Sequence, residues 1–227
     1  MISTTDTVKD IVVAHPLATR VFQRHSIDFC CRGGIALSEA CDKKGLDADR
    51  IAKEVEAEIA GTGDDAARWE ERPLDELIDH ILTTYHEALR SELPRLQQMA
   101  RKVLAVHGDK MPEVLPELHR VFSDLQTELE SHMAKEEEIL FPMIRAGHGE
   151  NAGAPITVME HEHASAGAAL ERLRELTNDY QPPADACATW TGLWAGLADL
   201  EKELHLHIHL ENNILFPRAM EEHAPVH

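Results

Sequence analysis

The sequence predicts an all-α protein: an antiparallel four-helix bundle preceded by a small helical domain. Three observations predict it. From Pro73 onward, four long amphipathic stretches follow one another, at about 73–107, 114–146, 155–178 and 184–221. The breaks between them, HGDKMP, GHGENAGAP and NDYQPP, are short and carry glycine or proline, so consecutive helices must run antiparallel. Before them, the first sixty or so residues hold only short helical patterns. The expected organisation is a small helical domain at 1–62, a linker at 63–72 and the bundle at 73–227.

In the leader, Thr5, Asp6 or Thr7 can cap a short helix near VKDIVVAH. HPLATRVFQRHSI places Leu17, Val21 and Phe22 at helical spacing, and DFCCRGG ends that pattern with two glycines. ALSEACDKKG and LDADRIAKEVEAEIA read as two further helices, the second with Ile51, Val55 and Ile59 every four residues. GTGDD at 61–65 is small, polar and flexible, as linkers are.

In the bundle, Pro73, Pro116 and Pro155 sit near helix starts, where a missing N–H is harmless. Pro94 falls inside the first long stretch and predicts a kink there. Pro142 and Pro217 fall late in the second and fourth stretches and predict a bend or local break in each. They stand at the same place in a repeated motif, HMAKEEEILFP at 132–142 and HIHLENNILFP at 207–217. The second and fourth helices are therefore equivalent, and the bundle reads as two helical hairpins.

Residues four apart share a helix face, so His132 pairs with Glu136 and His207 with Glu211. In the second helix Val121, Leu125, Leu129, His132, Glu136, Ile139 and Met143 advance by three or four and predict one buried stripe. In the fourth, Leu197, Leu200, Leu204, His207, Glu211 and Ile214 form the apolar face, whereas Lys202, His205, His209 and Asn212 form a polar face expected to point outward. The first helix offers a single inward histidine, His86, in the row Ile78, Leu82, His86, Leu89 and Leu93. The third offers His163, among Ile156, Met159 and Leu170.

One His-x-x-x-Glu is most often a surface ion pair. Two with the same flanks, on inward faces beside two more inward histidines, are not. Buried carboxylates without partners are very costly, so two glutamates among four imidazoles require cations or protons. The set suits two divalent metal ions, with the carboxylates bridging, and imidazole with carboxylate suits iron or manganese. Cys187, the bundle's one cysteine, lies far along the chain from these positions.

The bulk composition narrows the function classes. A formal net charge of −19 repels phosphate backbones, which excludes a nucleic-acid partner. No apolar run approaches the ~18 residues of a membrane span, and MISTTDTVKD lacks a signal-peptide pattern. A cytoplasmic location is expected. The four cysteines do not form a disulfide framework, which fits a reducing compartment.

The stretches YHEALR, SHMAKEEEILFPMI, VMEHEHASAG and HIHLENNILFPRA, together with DFCCRGG, make the chain resemble the hemerythrin-like domains. It resembles more closely the bacterial iron–sulfur cluster repair di-iron proteins, the repair-of-iron-centres family. The resemblance covers essentially the whole chain. It implies two non-haem irons, carboxylate- and oxo-bridged, on His86, His132, Glu136, His163, His207 and Glu211. The extra histidines His161, His205 and His209 leave a ligation through His161 or His209 open. It also places the family's vicinal cysteines on Cys30 and Cys31. These are candidate redox, iron-handling or nitric-oxide-handling residues that Arg32 and the following glycines would expose and favour as thiolates; against this stands a role as two small buried hydrophobes. The function implied is repair of clusters damaged by oxidative or nitrosative stress, with damaged iron–sulfur proteins as partners, nitric oxide or dioxygen as small ligands, and a homodimer among the expectations. A di-iron nitric oxide reductase and a reversible dioxygen or nitric oxide carrier are the alternatives.

Overall fold

The computed structural model describes residues 2–61 and 68–221; most of the GTGDD stretch expected to be a linker lies outside the described residues. Among these there is no strand, and a single antiparallel bridge joins Thr7 to Ala36. The leader consists of α1 (Val8–Ala14), α2 (Ala18–Arg24), α3 (Leu37–Asp42) and α4 (Ala48–Gly61). Of the three possible caps, Thr7 takes the role, its side chain accepting the Asp10 N–H at 3.2 Å. Val8, Val12, Val21, Phe22, Leu37, Cys41, Ile51 and Val55 meet in its core.

The bundle helices are longer and carry an unusual feature. Helix α5 runs as Leu74–His80, a π-helical turn Ile81–His86, and Glu87–His107. Helix α6 runs as Val114–Lys135, a π-turn Glu136–Leu140, and Phe141–Arg145. Helix α7 is Gly153–Leu176, and α8 runs as Ala188–Leu210, a π-turn Glu211–Leu215, and Phe216–Glu221. Each helix packs on two others, α5 on α6 and α8, and α7 on the same two, which is the antiparallel bundle expected. Pro94 is exposed, and the helix runs unbroken through it.

The bend or break expected at Pro142 and Pro217 is a π-turn in each case. Proline has no N–H to return to the carbonyl four residues back, and its ring crowds that carbonyl. The turn ahead of it widens instead, so that the Phe141 N–H reaches Glu136 O and the Phe216 N–H reaches Glu211 O, five residues back. The extra residue shifts the buried register by one position. Ile139 and Met143, expected inside, are therefore exposed and half-buried, while Leu140 and Ile144 are buried in their place. The same shift in α5 buries Ile81 and leaves Leu82 half-buried.

The polar face expected on α8 does not face solvent. His209 is 4 % exposed and His205 half-buried, because the leader is seated on them. Phe29 puts its ring edge-on to both imidazoles, at 6.1 and 5.7 Å between centroids. Ile208 of α8 is part of the leader's own core, and Gln23 Nε2 donates to Lys202 O at 3.1 Å. From Leu204 to Glu211 the helix is buried or half-buried on every side, whereas Asp199, Lys202 and Glu203 just before it are exposed. Among the described residues, no helix is long and apolar enough to cross a membrane.

Ile208→Ala removes the α8 side chain that is buried in the leader's core. It should destabilise the metal-free chain by about 2–4 kcal/mol, read from urea unfolding. A loss below about 0.5 kcal/mol would be the value for an exposed site and would contradict the seating of the leader on α8.

Candidate metal centre

The bundle core is two apolar clusters with a polar layer between them. One cluster runs from Leu89 through Phe122, Leu170 and Trp194 to Leu204; the other holds Leu77, Tyr85, Phe141, Met159 and Phe216. All six side chains singled out in the sequence lie in the layer between. His86, His132, Glu136, His163, His207 and Glu211 are each between 0 and 3 % exposed. The π-turns sit at this level: two begin at Glu136 and Glu211, and the third ends at His86. A widened turn re-aims the ligand-bearing residue relative to a regular helix, and such turns recur at functional sites.

The two carboxylates divide their oxygens between two histidine pairs. Glu136 Oε2 lies 3.3 Å from His86 Nε2, and its Oε1 lies 3.3 Å from His132 Nε2. Glu211 Oε1 lies 2.9 Å from His207 Nε2, and its Oε2 lies 3.1 Å from His163 Nε2. The result is two donor groups, His86 with His207 and His132 with His163, that share both glutamates. His132 Nε2 and His163 Nε2 approach to 3.0 Å, close to the spacing of two nitrogens each about 2.1 Å from one ion.

Behind the centre, outer groups fix the rings. His86 Nδ1 meets Glu137 Oε1 at 2.6 Å, and Arg90 clamps that carboxylate through both oxygens at 2.6 Å. His132 Nδ1 meets Glu162 Oε2 at 2.9 Å, with Lys135 on the other oxygen. His163 Nδ1 donates to Asn212 Oδ1 at 2.8 Å. His207 has no such partner at Nδ1; Tyr85 stacks on its ring at 5.2 Å. Phe141 stacks on His86 and Phe216 on His163, which is the use made of the repeated Ile-Leu-Phe-Pro.

Glu137, Glu162 and Asn212 were not singled out in the sequence, although one signal was there. Glu137 and Asn212 each follow the motif glutamate, and each serves a histidine of the preceding helix. The other expected residues divide. His161 is exposed and His209 faces the leader, so neither joins the donor groups. Cys30 and Cys31 lie beside the centre rather than in it. Cys30 is 4 % exposed, Cys31 is half-buried, and the two free thiols stand 3.5 Å apart. The thiolate expected from Arg32 is not favoured at Cys30. The Cys31 thiol hydrogen-bonded beside it, burial and the Asp28 charge all push the Cys30 thiol well above its usual range.

Burial alone would lower the His132 pKa, but the facing Glu136 carboxylate outweighs it and lifts the imidazole to about 9. His86 is raised in the same way: burial opposes, and Glu136 wins. Burial opposes ionisation of Glu211, and the His207 and His163 imidazoles outweigh it, holding the carboxyl well below its usual range. Buried His209 has no such carboxylate, and burial pushes it down to about 4.

Residues 77–219 match the hemerythrin HHE cation-binding domain, and residues 4–59 match a domain of unknown function, DUF542. The chain is 45 % identical over 211 residues to the iron–sulfur cluster repair protein YtfE of Pectobacterium atrosepticum, covering 93 % of this chain and 95 % of that one. It is 43 % identical over 213 residues to that of Edwardsiella ictaluri, covering 93 and 95 %. With that of Escherichia coli O81 it shares 44 % over 213 residues, covering 93 and 94 %.

The residues present fit a bound cation. Both oxygens of Glu136, Nε2 of His86 and Oε2 of Glu211 are buried, face the centre and have no hydrogen-bond partner. Groups left so are costly unless something charged completes them. Without metal, protons must serve. His132 then holds, between pH 6.5 and about 9, a proton that the unfolded chain releases. That contribution to stability is full below pH 6.5 and is lost as the pH rises through about 9. The melting temperature of the metal-free chain should therefore fall across this window, and the iron-loaded chain, whose histidines must be neutral to ligate, should not share that fall. A flat metal-free profile, followed by circular dichroism, would contradict this.

Proposed function

We propose, from the premise that the chain belongs to the hemerythrin HHE family and among its members to the iron–sulfur cluster repair proteins, that it holds two non-haem irons at this centre and uses them to restore damaged clusters. The observation that carries the proposal is the division of each glutamate's oxygens between two histidine pairs. His86 and His207 would hold one ion, His132 and His163 the other, and Glu136 and Glu211 would bridge them. Bound there, iron supplies redox chemistry, an open position for a small ligand, and iron itself for a client cluster.

The chain's own residues set the conditions. The outer carboxylates Glu137 and Glu162 hold His86 and His132 with Nε2 inward and raise their basicity. The apolar clusters on both sides exclude water and so strengthen every electrostatic contact in the layer. A crevice of about 100 Å³ between α5 and α8, lined by Tyr85, Leu89, Leu96, Leu200, Leu204 and His207, leads to the centre. Its lining, apolar apart from Thr84, Glu92, Asp199 and Glu203, suits a small neutral ligand such as nitric oxide or dioxygen. This favours a second reading, a nitric oxide reductase or a reversible gas carrier. Cys30 and Cys31, seated beside His163, support repair, because a carrier leaves them without a role. Damaged iron–sulfur proteins of the cytoplasm are the proposed partners.

Glu136→Leu and Glu211→Leu each remove a bridging group and should reduce iron from about two per chain to below one, with loss of cluster repair in a reconstitution assay. Full repair by the double variant would contradict the proposal. A chain beginning near Arg72 separates the two readings: repair by the full chain that is lost on truncation while gas binding stays supports repair through the leader, whereas gas binding by both chains with repair by neither supports the carrier.

A further inference from the structure

We infer that Asn212 couples the metal centre to the vicinal-cysteine loop, so that loading of the centre and docking of the loop favour each other. The coupling presupposes a cation on the inner nitrogens, as proposed above.

After their shared glutamate the two copies of the motif differ at two positions, and this coupling acts there. Aligned on their glutamates, Glu137 of α6 corresponds to Asn212 of α8, and Glu138 to Asn213. Glu137 and Asn212 do the same work toward the centre, each accepting from the outer nitrogen of a histidine on the preceding helix. They differ on their other side. Glu137 meets the Arg90 cation, which a carboxylate suits. Asn212 meets the Cys30 carbonyl, to which its Nδ2 donates at 3.1 Å. A carboxylate only accepts, so a glutamate or aspartate there would set oxygen against oxygen. An amide can accept on one side and donate on the other.

That two-sided role fixes a proton. The Cys30 carbonyl can only accept, so Nδ2 must face it and Oδ1 must face His163. His163 must then carry its proton on Nδ1 and present a bare Nε2 to the interior. A metal on Nε2 imposes the same tautomer from the other end. Without metal, His163 Nε2 faces both His132 Nε2 at 3.0 Å and Glu211 Oε2 at 3.1 Å, so a proton on Nε2, donated to that carboxylate, becomes an alternative to the bare nitrogen. The tautomer that Asn212 needs then competes with the other, in which Nδ1 is an acceptor and the amide turns its oxygen toward Cys30.

Other contacts also hold this loop to the bundle, among them the Phe29 ring packed on His205 and His209. Asn213 Nδ2 donates to Phe29 O at 2.9 Å, and Cys31 Sγ rests 3.6 Å from His163 O, over Gly167. Within the loop, Asp28 Oδ1 accepts from the Cys30 and Cys31 N–H groups, and Gly33 passes so close to Phe29 that a Cβ would lie 2.6 Å from its carbonyl oxygen. The loop is thus shaped by itself, and Asn212 is the side chain that joins it to a histidine of the centre. By reciprocity, whatever releases the loop weakens metal retention, and loss of metal loosens the loop. Asn212 is a positioning residue in this scheme.

The test is the rate at which iodoacetamide labels buried Cys30, read by peptide mass spectrometry, in the full chain loaded with ferrous iron and in the chelator-stripped chain. Iron is assayed on each sample. Wild type should label about fivefold or more faster when stripped. Asn212→Asp keeps the acceptor for His163 but loses the donor to Cys30, so its loaded form should bind iron and label as fast as its stripped form. Asn212→Ala should give the same equal rates. Asn213→Ala should label faster in both forms and keep the wild-type ratio. Equal rates in iron-bound wild type would overturn the coupling and leave the metal centre standing; a wild-type ratio retained by both Asn212 variants would overturn the role of Asn212. A wild type that takes up no iron overturns both.

Discussion

Two carboxylates buried at the middle of a helical bundle are the constraint on which the rest of the structure depends. Glu136 and Glu211 are fully buried, and such groups are tolerated only where charge or hydrogen bonds complete them. Four imidazoles supply part of this, one nitrogen from each facing one carboxylate oxygen. The layer they form divides the apolar core into two clusters. It also goes with the two π-turns that begin at Glu136 and Glu211. A regular helix could carry the histidine and glutamate, but the proline that closes each motif forces the wider turn between the glutamate and the phenylalanine. That turn brings the phenylalanine over a histidine of the preceding helix. Site and backbone irregularity are one feature.

The internal repeat is informative both where it holds and where it fails. Histidine, glutamate, phenylalanine and proline occupy corresponding places in α6 and α8, and each hairpin builds half of the layer. The positions after the glutamate diverge because their surroundings differ. On α6 they face an arginine and solvent, and Glu138 and Ile139 are exposed. On α8 they lie under the leader, and Asn212, Asn213 and Ile214 are half-buried or buried. The leader therefore belongs to the architecture of the centre: its cysteine loop is hydrogen-bonded to the same side chain that orients His163.

Much of this was legible in the sequence, for definite reasons. Apolar residues on both sides of His132 and His207 leave one choice of face, and the motif repeat removes the alternative of a chance surface pair. The short breaks fix the antiparallel order. Four things were not legible. The π-turns add a residue without any insertion in the sequence, so periodicity carried past Glu136 placed Ile139 and Met143 inside when Leu140 and Ile144 are there. The polar row on α8 reads as a solvated face because helical periodicity cannot distinguish solvent from a second domain; the leader buries His209 there. The same ambiguity hides Glu137, Glu162 and Asn212, whose polar side chains could equally serve water. The chemistry of Cys30 was misjudged from Arg32, which is exposed, whereas burial, Cys31 and Asp28 govern the thiol.

The most direct measurement is anomalous diffraction at the iron edge from crystals of the iron-loaded chain. The account predicts two peaks inside the layer, one beside His86 and His207, the other beside His132 and His163, with Glu136 and Glu211 reaching both. Peaks elsewhere on the protein, or none within the layer, would contradict it.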